Sequence, residues 1–283
     1  MSSNFDRVKA IETEAEGLGR FLEGLRPEDL ERRSACEAWT VGEVVAHLVE
    51  RIAEPYMDAI SRGIKGDLSP TKGFPEMNTV DQAWLSEFNI QRAIDHCAAL
   101  GDGLITAFRS RYAEFCELLR SLEPDDWDKP CYGSRVSRSV ERFIPITMQE
   151  LALHGWDIRS RFGSSARLSR ESLPLLIDVI PNMLRHVLAT EFPRDSKMAP
   201  VTLRFEFVDQ PAATDFTIEE GRCRMAPREV GRKADVTLTM DADTYVLLMY
   251  RRISLEEAIK LGKLQPQGDS SLIPAFDGWL QRG

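Results

Sequence analysis

Cysteine is scarce and unpaired in this 283-residue chain: Cys36, Cys97, Cys116, Cys131 and Cys223 are scattered, and no CxxC pair occurs. Such a set supports neither a disulfide framework nor a cysteine zinc knuckle, and a reducing cytoplasm is the simplest setting. Basic charge is short as well. The 45 acids outnumber the 36 Lys and Arg residues, for a net charge of -9. That argues against general nucleic-acid binding, which needs a basic surface. No apolar run reaches the roughly 18 residues of a transmembrane helix, so no membrane partner is expected. Met1 to Arg20 is polar and acidic, unlike a signal peptide. No internal repeat or low-complexity tract is visible. What remains is 43% hydrophobic and 29% charged. That is the make-up of a soluble globular protein, long enough for one large domain or two ordinary ones.

The first half reads as helices. Asn4 to Leu25 forms the first. Thr40-Val41-Gly42-Glu43 is a capping box that opens the second, after which Val41, Val44, Val45, Leu48, Val49 and Ile52 recur at helical spacing. Residues 78–98 and 102–122 give two more, with Gly101 and Gly103 loosening the join. The stretch from Glu123 to Gly133 is a loop. A further helix runs from about Arg138 to Arg161, and Pro145 within it predicts a kink or a late start near Ile144. Long helices joined by loops suggest an up-down bundle of four. Beyond the break at Gly163-Ser164-Ser165-Ala166 comes a helix over about 170–191, and then the period changes. Val201, Leu203, Phe205 and Phe207 alternate with polar residues, as in a half-buried strand. Asp215 to Glu219 and Arg222 to Met225, divided by Glu220-Gly221, read as a hairpin. Val236, Leu238 and Met240 make another strand. Helices follow at about 242–251, 254–261 and 271–281, the second opened by the capping box Ser254-Leu255-Glu256-Glu257 and stopped by Gly262. The fold class is α+β: a helical bundle over residues 1–165, a connecting helix within 166–198, and a small α+β domain over 199–283.

Chemistry concentrates on the fifth helix. At 3.6 residues per turn Glu150, His154 and Asp157 share a face with Phe143, Ile146, Leu153 and Ile158, while Gln149, Ala152, Arg159 and Ser160 point away. Ionisable groups on an apolar face cost several kcal/mol unless a metal ion or a tight polar network compensates them. Glu150 and His154, four apart, lie about 6 Å along one helix edge and could reach one ion. A buried Glu-His hydrogen bond is the competing reading. His47, at the edge of the valine stripe, reads by itself as a solvent-facing or satisfied histidine. His96 and His186 have no recognisable companions. A His/Glu/His set completed by water would suit zinc, with nickel or iron as alternatives.

Two motifs carry a resemblance. Ser34-Ala35-Cys36-Glu37-Ala38-Trp39-Thr40-Val41-Gly42-Glu43-Val44-Val45-Ala46-His47-Leu48 resembles the second-helix signature of the mycothiol-dependent maleylpyruvate isomerase family. Its one departure is Glu37-Ala38, where a glycine usually precedes the tryptophan. Glu150-Leu151-Ala152-Leu153-His154-Gly155-Trp156-Asp157-Ile158 resembles that family's second signature. The resemblance implies a DinB-like four-helix bundle in which His47, Glu150 and His154 hold a divalent metal, probed first as zinc. Mycothiol, a sugar-linked cysteine of actinobacteria, would be the thiol co-substrate. Ala234 to Met240 and Gly262 to Asp269 resemble the sterol-carrier-like module fused behind many of these bundles. Arg252, in Tyr250-Arg251-Arg252-Ile253-Ser254, occupies the place of the family's C-terminal arginine and is a catalytic candidate for holding an anionic group. Arg92 is a second such candidate in the third helix. Asp157 would orient a histidine ligand from behind. The glycine- and proline-containing interval from Ser61 to Met77 reads as a long loop that could shape an entrance. Cys36 reads as a small buried thiol, and Trp39 and Trp156 as packing residues.

Bound zinc favours the thiolate, which is the nucleophilic form of a thiol. Two thiol reactions follow from the resemblance. In one, the thiolate is transferred to or exchanged with a small metabolite or electrophile, and the product keeps the mycothiol. In the other, the thiolate adds reversibly to a conjugated diketo acid during cis-trans isomerisation. The sequence favours transfer slightly. An apolar-ligand carrier with a structural metal is the reading from a different class, and a metal-free regulatory relative of the bundle is a third.

Overall fold

A computed structural model of the chain describes residues 3–163, 165–191, 200–219 and 222–282. It divides into two compact units, Met1–Ser172 and Leu173–Gly283. No helix among the described residues is long and apolar enough to cross a membrane.

The first unit opens with α1 (Asn4–Glu23), started by a capping box between Ser3 and Asp6, and a single turn, α2 (Pro27–Leu30). The expected capping box at Thr40 is present: Thr40 N–H donates to Glu43 Oε2 at 2.7 Å, and Glu43 N–H donates to Thr40 Oγ1 at 3.3 Å. It starts α3 (Val41–His47), which widens into a π-helical turn, Leu48–Ala53, and continues as α4 (Glu54–Gly63). Pro55 explains the widening. It lacks an N–H, and its ring would press on the carbonyl four residues back in a regular helix, which a wider turn relieves. The remaining helices are α5 (Gln82–Leu100), α6 (Leu104–Arg120) and α7 (Val140–Arg159), and a two-residue ladder pairs β1 (Pro130–Cys131) with β2 (Arg138–Ser139).

Four of these elements make the bundle: α1, the continuous α3–α4 segment, α6 and α7, with α1 packed on α6 and α7. Helix α5 lies against α3 and buries only Leu85 and Ala93, so it is an outer layer. The expected late start of α7 near Ile144 does not occur. The helix begins at Val140 and runs through Pro145. A proline near the first turn forfeits one intrahelical bond, and the buried residues on either side of it hold the helix together. Ala152, turned away from the Glu150 and His154 face, is fully buried as well, because α7 packs against neighbours on more than one side.

The end of α4 shows how tight the unit is. A Cβ on Gly63 would stand 2.5 Å from Cys131 Sγ and 2.7 Å from the Pro130 carbonyl oxygen. Gly63→Ala should therefore lower stability by about 1–3 kcal/mol through overpacking, read as a lower denaturant midpoint. An unchanged midpoint would mean that β1 moves away at no cost.

The second unit holds α8 (Leu173–Glu191), β3 (Val201–Phe207), β4 (Ala213–Glu219), β5 (Arg222–Pro227), β6 (Val236–Met240), α9 (Ala242–Met249), α10 (Leu255–Lys260), β7 (Leu264–Gly268) and α11 (Leu272–Arg282). The strands form one sheet in the order β5-β4-β3-β6-β7, with β3 and β6 parallel and the other pairs antiparallel. The expected alternation places Leu203, Phe205, Phe216, Ile218, Val236 and Leu238 in the core, where Phe276 of α11 packs against Phe205 and Phe216. On the other register of the same strands, Arg204 and Asp215 are cross-strand partners joined by two hydrogen bonds, 2.7 and 2.9 Å long. At Ser254 the structure gives a simple N-cap, with Glu257 N–H donating to Ser254 Oγ at 3.0 Å, and the stop at Gly262 (φ 68°) is present. Strand β7 was not expected. It is an edge strand with only Leu264 buried, so it lacks an alternating pattern, and an edge tolerates its Pro266. The turn expected at Glu220-Gly221 lies outside the described residues, as does the side chain of His186.

Candidate metal centre

His47 is the last residue of α3 before the π-helical turn, and Glu150 and His154 are successive turns of one face of α7. The bundle brings the three together. His47 Nε2 lies 3.5 Å from Glu150 Oε2, and His154 Nε2 lies 3.3 Å from the same oxygen. The histidine side chains are 5% and 10% exposed, whereas Glu150 is 25% exposed, so the carboxylate is the accessible edge of the trio. One potential ligand atom from each residue lies within 4.8 Å of the others. Ligands on a tetrahedral zinc ion at about 2.0–2.1 Å stand roughly 3.4 Å apart, so two imidazole nitrogens and a carboxylate oxygen at these separations fit such an ion with little rearrangement.

The surroundings hold the trio in place. Trp39 stacks on His47, with ring centroids 4.6 Å apart and planes at 28°, and meets the edge of His154 at 5.7 Å. Asp157 is fully buried and accepts a 2.9 Å hydrogen bond from His154 Nδ1. Nδ1 is thereby protonated and Nε2 faces Glu150, the tautomer a ligand would need. Tyr112, buried on α6, donates to the Leu48 carbonyl at 3.2 Å and so braces the turn just after His47. Without an ion, Glu150 and His154 shift one another's pKa. Burial works to raise the Glu150 pKa, but hydrogen bonds from His154 and His47 hold it well below the usual range. Burial works to lower the His154 pKa, but Asp157 and Glu150 push it up to about 9.

The other candidates fall elsewhere. Arg92 of α5 donates through Nε to Glu50 Oε2 at 2.6 Å, and its guanidinium lies 4.7 Å from the Phe74 ring centroid. Glu50, 1% exposed and one turn beyond His47, was not singled out from the sequence. Its position at i+3 from a candidate ligand was the available signal. Arg252 belongs to the second unit, where Nη1 donates to the Tyr250 carbonyl at 3.1 Å. His96 is a half-buried residue of α5 whose pKa is lowered by burial. Trp39 does more than fill space, since its ring touches both histidines. Cys36 is half-buried, and its Sγ groups with His154 and Asp157.

Residues 11–159 match the family described as mycothiol maleylpyruvate isomerase N-terminal domain, and residues 192–281 match the SCP-2 sterol transfer family. A crystal structure of the mycothiol-dependent maleylpyruvate isomerase is similar over 89% of this chain and 93% of its own, with a TM-score of 0.61 at 14% identity. A histidine-to-alanine mutant of that isomerase is similar over 94% and 96%, with a TM-score of 0.62 at 13% identity. At such identities the likeness is one of fold. Comparison with curated proteins gives no match. With more than half of its residues matched by the first of these descriptions, the chain belongs to the mycothiol maleylpyruvate isomerase N-terminal domain family and carries an SCP-2-like α+β domain behind the bundle.

Proposed function

We propose that the chain is a metal-dependent enzyme that uses mycothiol in thiol transfer or exchange with a small metabolite or electrophile. The observation that carries this reading is the Glu150 carboxylate held between two histidines whose Nε2 atoms converge on it, in a chain of this family. His47, Glu150 and His154 would hold the ion, with zinc the first to test. A divalent ion held by three protein ligands keeps a position open and there favours the thiolate form of a bound thiol. The protein's own residues do the rest. Trp39 fixes the plane of His47, Asp157 fixes the tautomer of His154, and the exposed edge of Glu150 faces incoming molecules. Arg252 and Arg92 are the cationic groups proposed to meet an anionic substrate. Arg92 already donates to Glu50 at 2.6 Å, so an anion would have to share or displace that pair.

Isomerisation of the maleylpyruvate type is the second reading, favoured by the solved structures of similar fold. Following free mycothiol itself separates the two. With electrophiles, transfer consumes one mycothiol per turnover. With maleylpyruvate, isomerisation leaves the thiol concentration unchanged while the product accumulates. Turnover without loss of thiol would overturn transfer in favour of isomerisation. No thiol-dependent turnover with either class of substrate would overturn both.

Asp157→Asn should weaken ion binding roughly 10–100-fold, because an amide can present a donor to Nδ1 and free the His154 ring to turn. Competitive chelator titration reads this effect. An unchanged affinity would make Asp157 a structural residue only.

A further inference from the structure

Cys36 is a half-buried thiol beside His154 that the proposed function leaves unused. Its loop is tied down at several points. Ser34 Oγ accepts from Cys36 N–H at 3.1 Å and is 2.8 Å from the Cys36 carbonyl oxygen and 2.9 Å from that of Trp39. Ala35 N–H donates to the Asp157 carbonyl at 2.9 Å, which couples the loop to the C-terminal end of α7. As a result Cys36 Sγ, a ring nitrogen of His154 and a carboxylate oxygen of Asp157 lie within 4.8 Å of one another. The His154 ring has two working edges. Nε2 faces Glu150 at 3.3 Å, and Nδ1 faces Asp157 at 2.9 Å. Asp157 is fully buried and His154 nearly so, while half-buried Cys36 is the approach from outside.

We propose that Cys36, His154 and Asp157 form a second cation site, selective for soft, thiophilic divalent ions, on the edge of the His154 ring opposite the trio. Sulfur, nitrogen and carboxylate oxygen are the donors that zinc-class ions take, and a thiolate selects such ions over magnesium or calcium. An ion of this class holds nitrogen and sulfur donors roughly 3.5 Å apart, so the three side chains close on it by shifts of about an ångström. Binding releases the Cys36 thiol proton and the Nδ1 proton that His154 otherwise gives to Asp157, both to solvent. Because the site borrows His154, its occupancy disturbs the trio and makes excess soft metal inhibitory. The inference shares His154 with the proposed function and otherwise stands apart from it.

Cadmium tests it directly, since thiolate-bound Cd2+ has an ultraviolet charge-transfer band that nitrogen and oxygen ligands do not produce. The full chain, stripped by chelation, is titrated with Cd2+. The band should rise to saturation in the wild type, persist in His47→Ala, where only the trio is broken, and persist in Cys97→Ser. It should vanish in Cys36→Ser and in Cys36→Ala. No band in the wild type at saturating Cd2+, or an undiminished band in both Cys36 variants, would overturn the proposal. Zinc retained by the Cys36 variants and lost from His47→Ala would show that the trio stands whichever way the cadmium result falls.

Discussion

Glu150→Gln should weaken divalent-ion binding by roughly a hundredfold or more and leave the helical content unchanged. The carboxylate is the centre of the trio, with one oxygen 3.5 Å from His47 Nε2 and 3.3 Å from His154 Nε2. A structural zinc site binds with about 10–16 kcal/mol shared over four ligands, so one ligand carries on the order of 3 kcal/mol, or about two powers of ten in affinity. Glutamine has the same shape, so packing is conserved while the charge is lost. In the ion-free protein the same change removes one of the groups that push the His154 pKa up to about 9, after burial and Asp157 have acted. The imidazole would then lose its proton at a lower pH. Calorimetric zinc titration of the two proteins reads the change in affinity. Equal affinities would remove Glu150 from the ligand set.

Asp215→Ala is expected to cost the second unit about 3–5 kcal/mol, the range for breaking one side of a buried ion pair. Arg204 and Asp215 side chains are 7% and 4% exposed, and Arg204 also donates to the Arg232 carbonyl at 2.9 Å. Truncation would leave a buried guanidinium without its carboxylate partner. Against a total stability of roughly 5–15 kcal/mol for a typical domain, that loss should move the melting transition down by on the order of 10 °C or more. The dependence on pH has a definite sign. Burial works to raise the Asp215 pKa, but the Arg204 hydrogen bonds and charge hold it below its ordinary value. A carboxylate with a depressed pKa in the fold stabilises above its unfolded value, near 3.9, and that stability is lost as the pH falls through the folded value. The gap between wild type and variant should therefore be full at neutral pH and shrink below about pH 4. A gap that persists at low pH would assign the cost to lost packing rather than to charge.

The parts of the molecule that local chemistry dictates were legible in the sequence. Thr40 with Glu43, and Ser254 followed by Gly262, mark helix ends through bonds spanning only a few residues, and the structure has them where expected. Alternation from Val201 to Phe207 and from Val236 to Met240 announced two strands, although in β3 the second register is buried too, at Thr202 and Arg204. The pair Glu150 and His154 was visible as polar groups on an apolar helix face. What escaped depends on tertiary contact. The π-helical turn arises where α3 meets Pro55. Edge strand β7 is held by β6 and has no pattern of its own. Periodicity turned Ala152 away from the Glu150 face and gave no sign that neighbours bury that side of α7 as well. Glu50 and Arg92 are 42 positions apart and Cys36 is far along the chain from Asp157, so no local spacing announces either meeting. The convergence of His47 on Glu150 was implied by resemblance and not by spacing.

Elemental analysis of protein purified without added metal or a histidine tag, run beside His154→Ala, tests the central claim most directly. The account predicts about one divalent transition-metal ion per chain in the wild type, zinc foremost, and its loss in the variant, because His154 Nε2 is one of only three protein donors proposed to hold it. No ion in either sample, even after incubation with zinc, would contradict the account and make Glu150 and His154 a buried hydrogen-bonded pair.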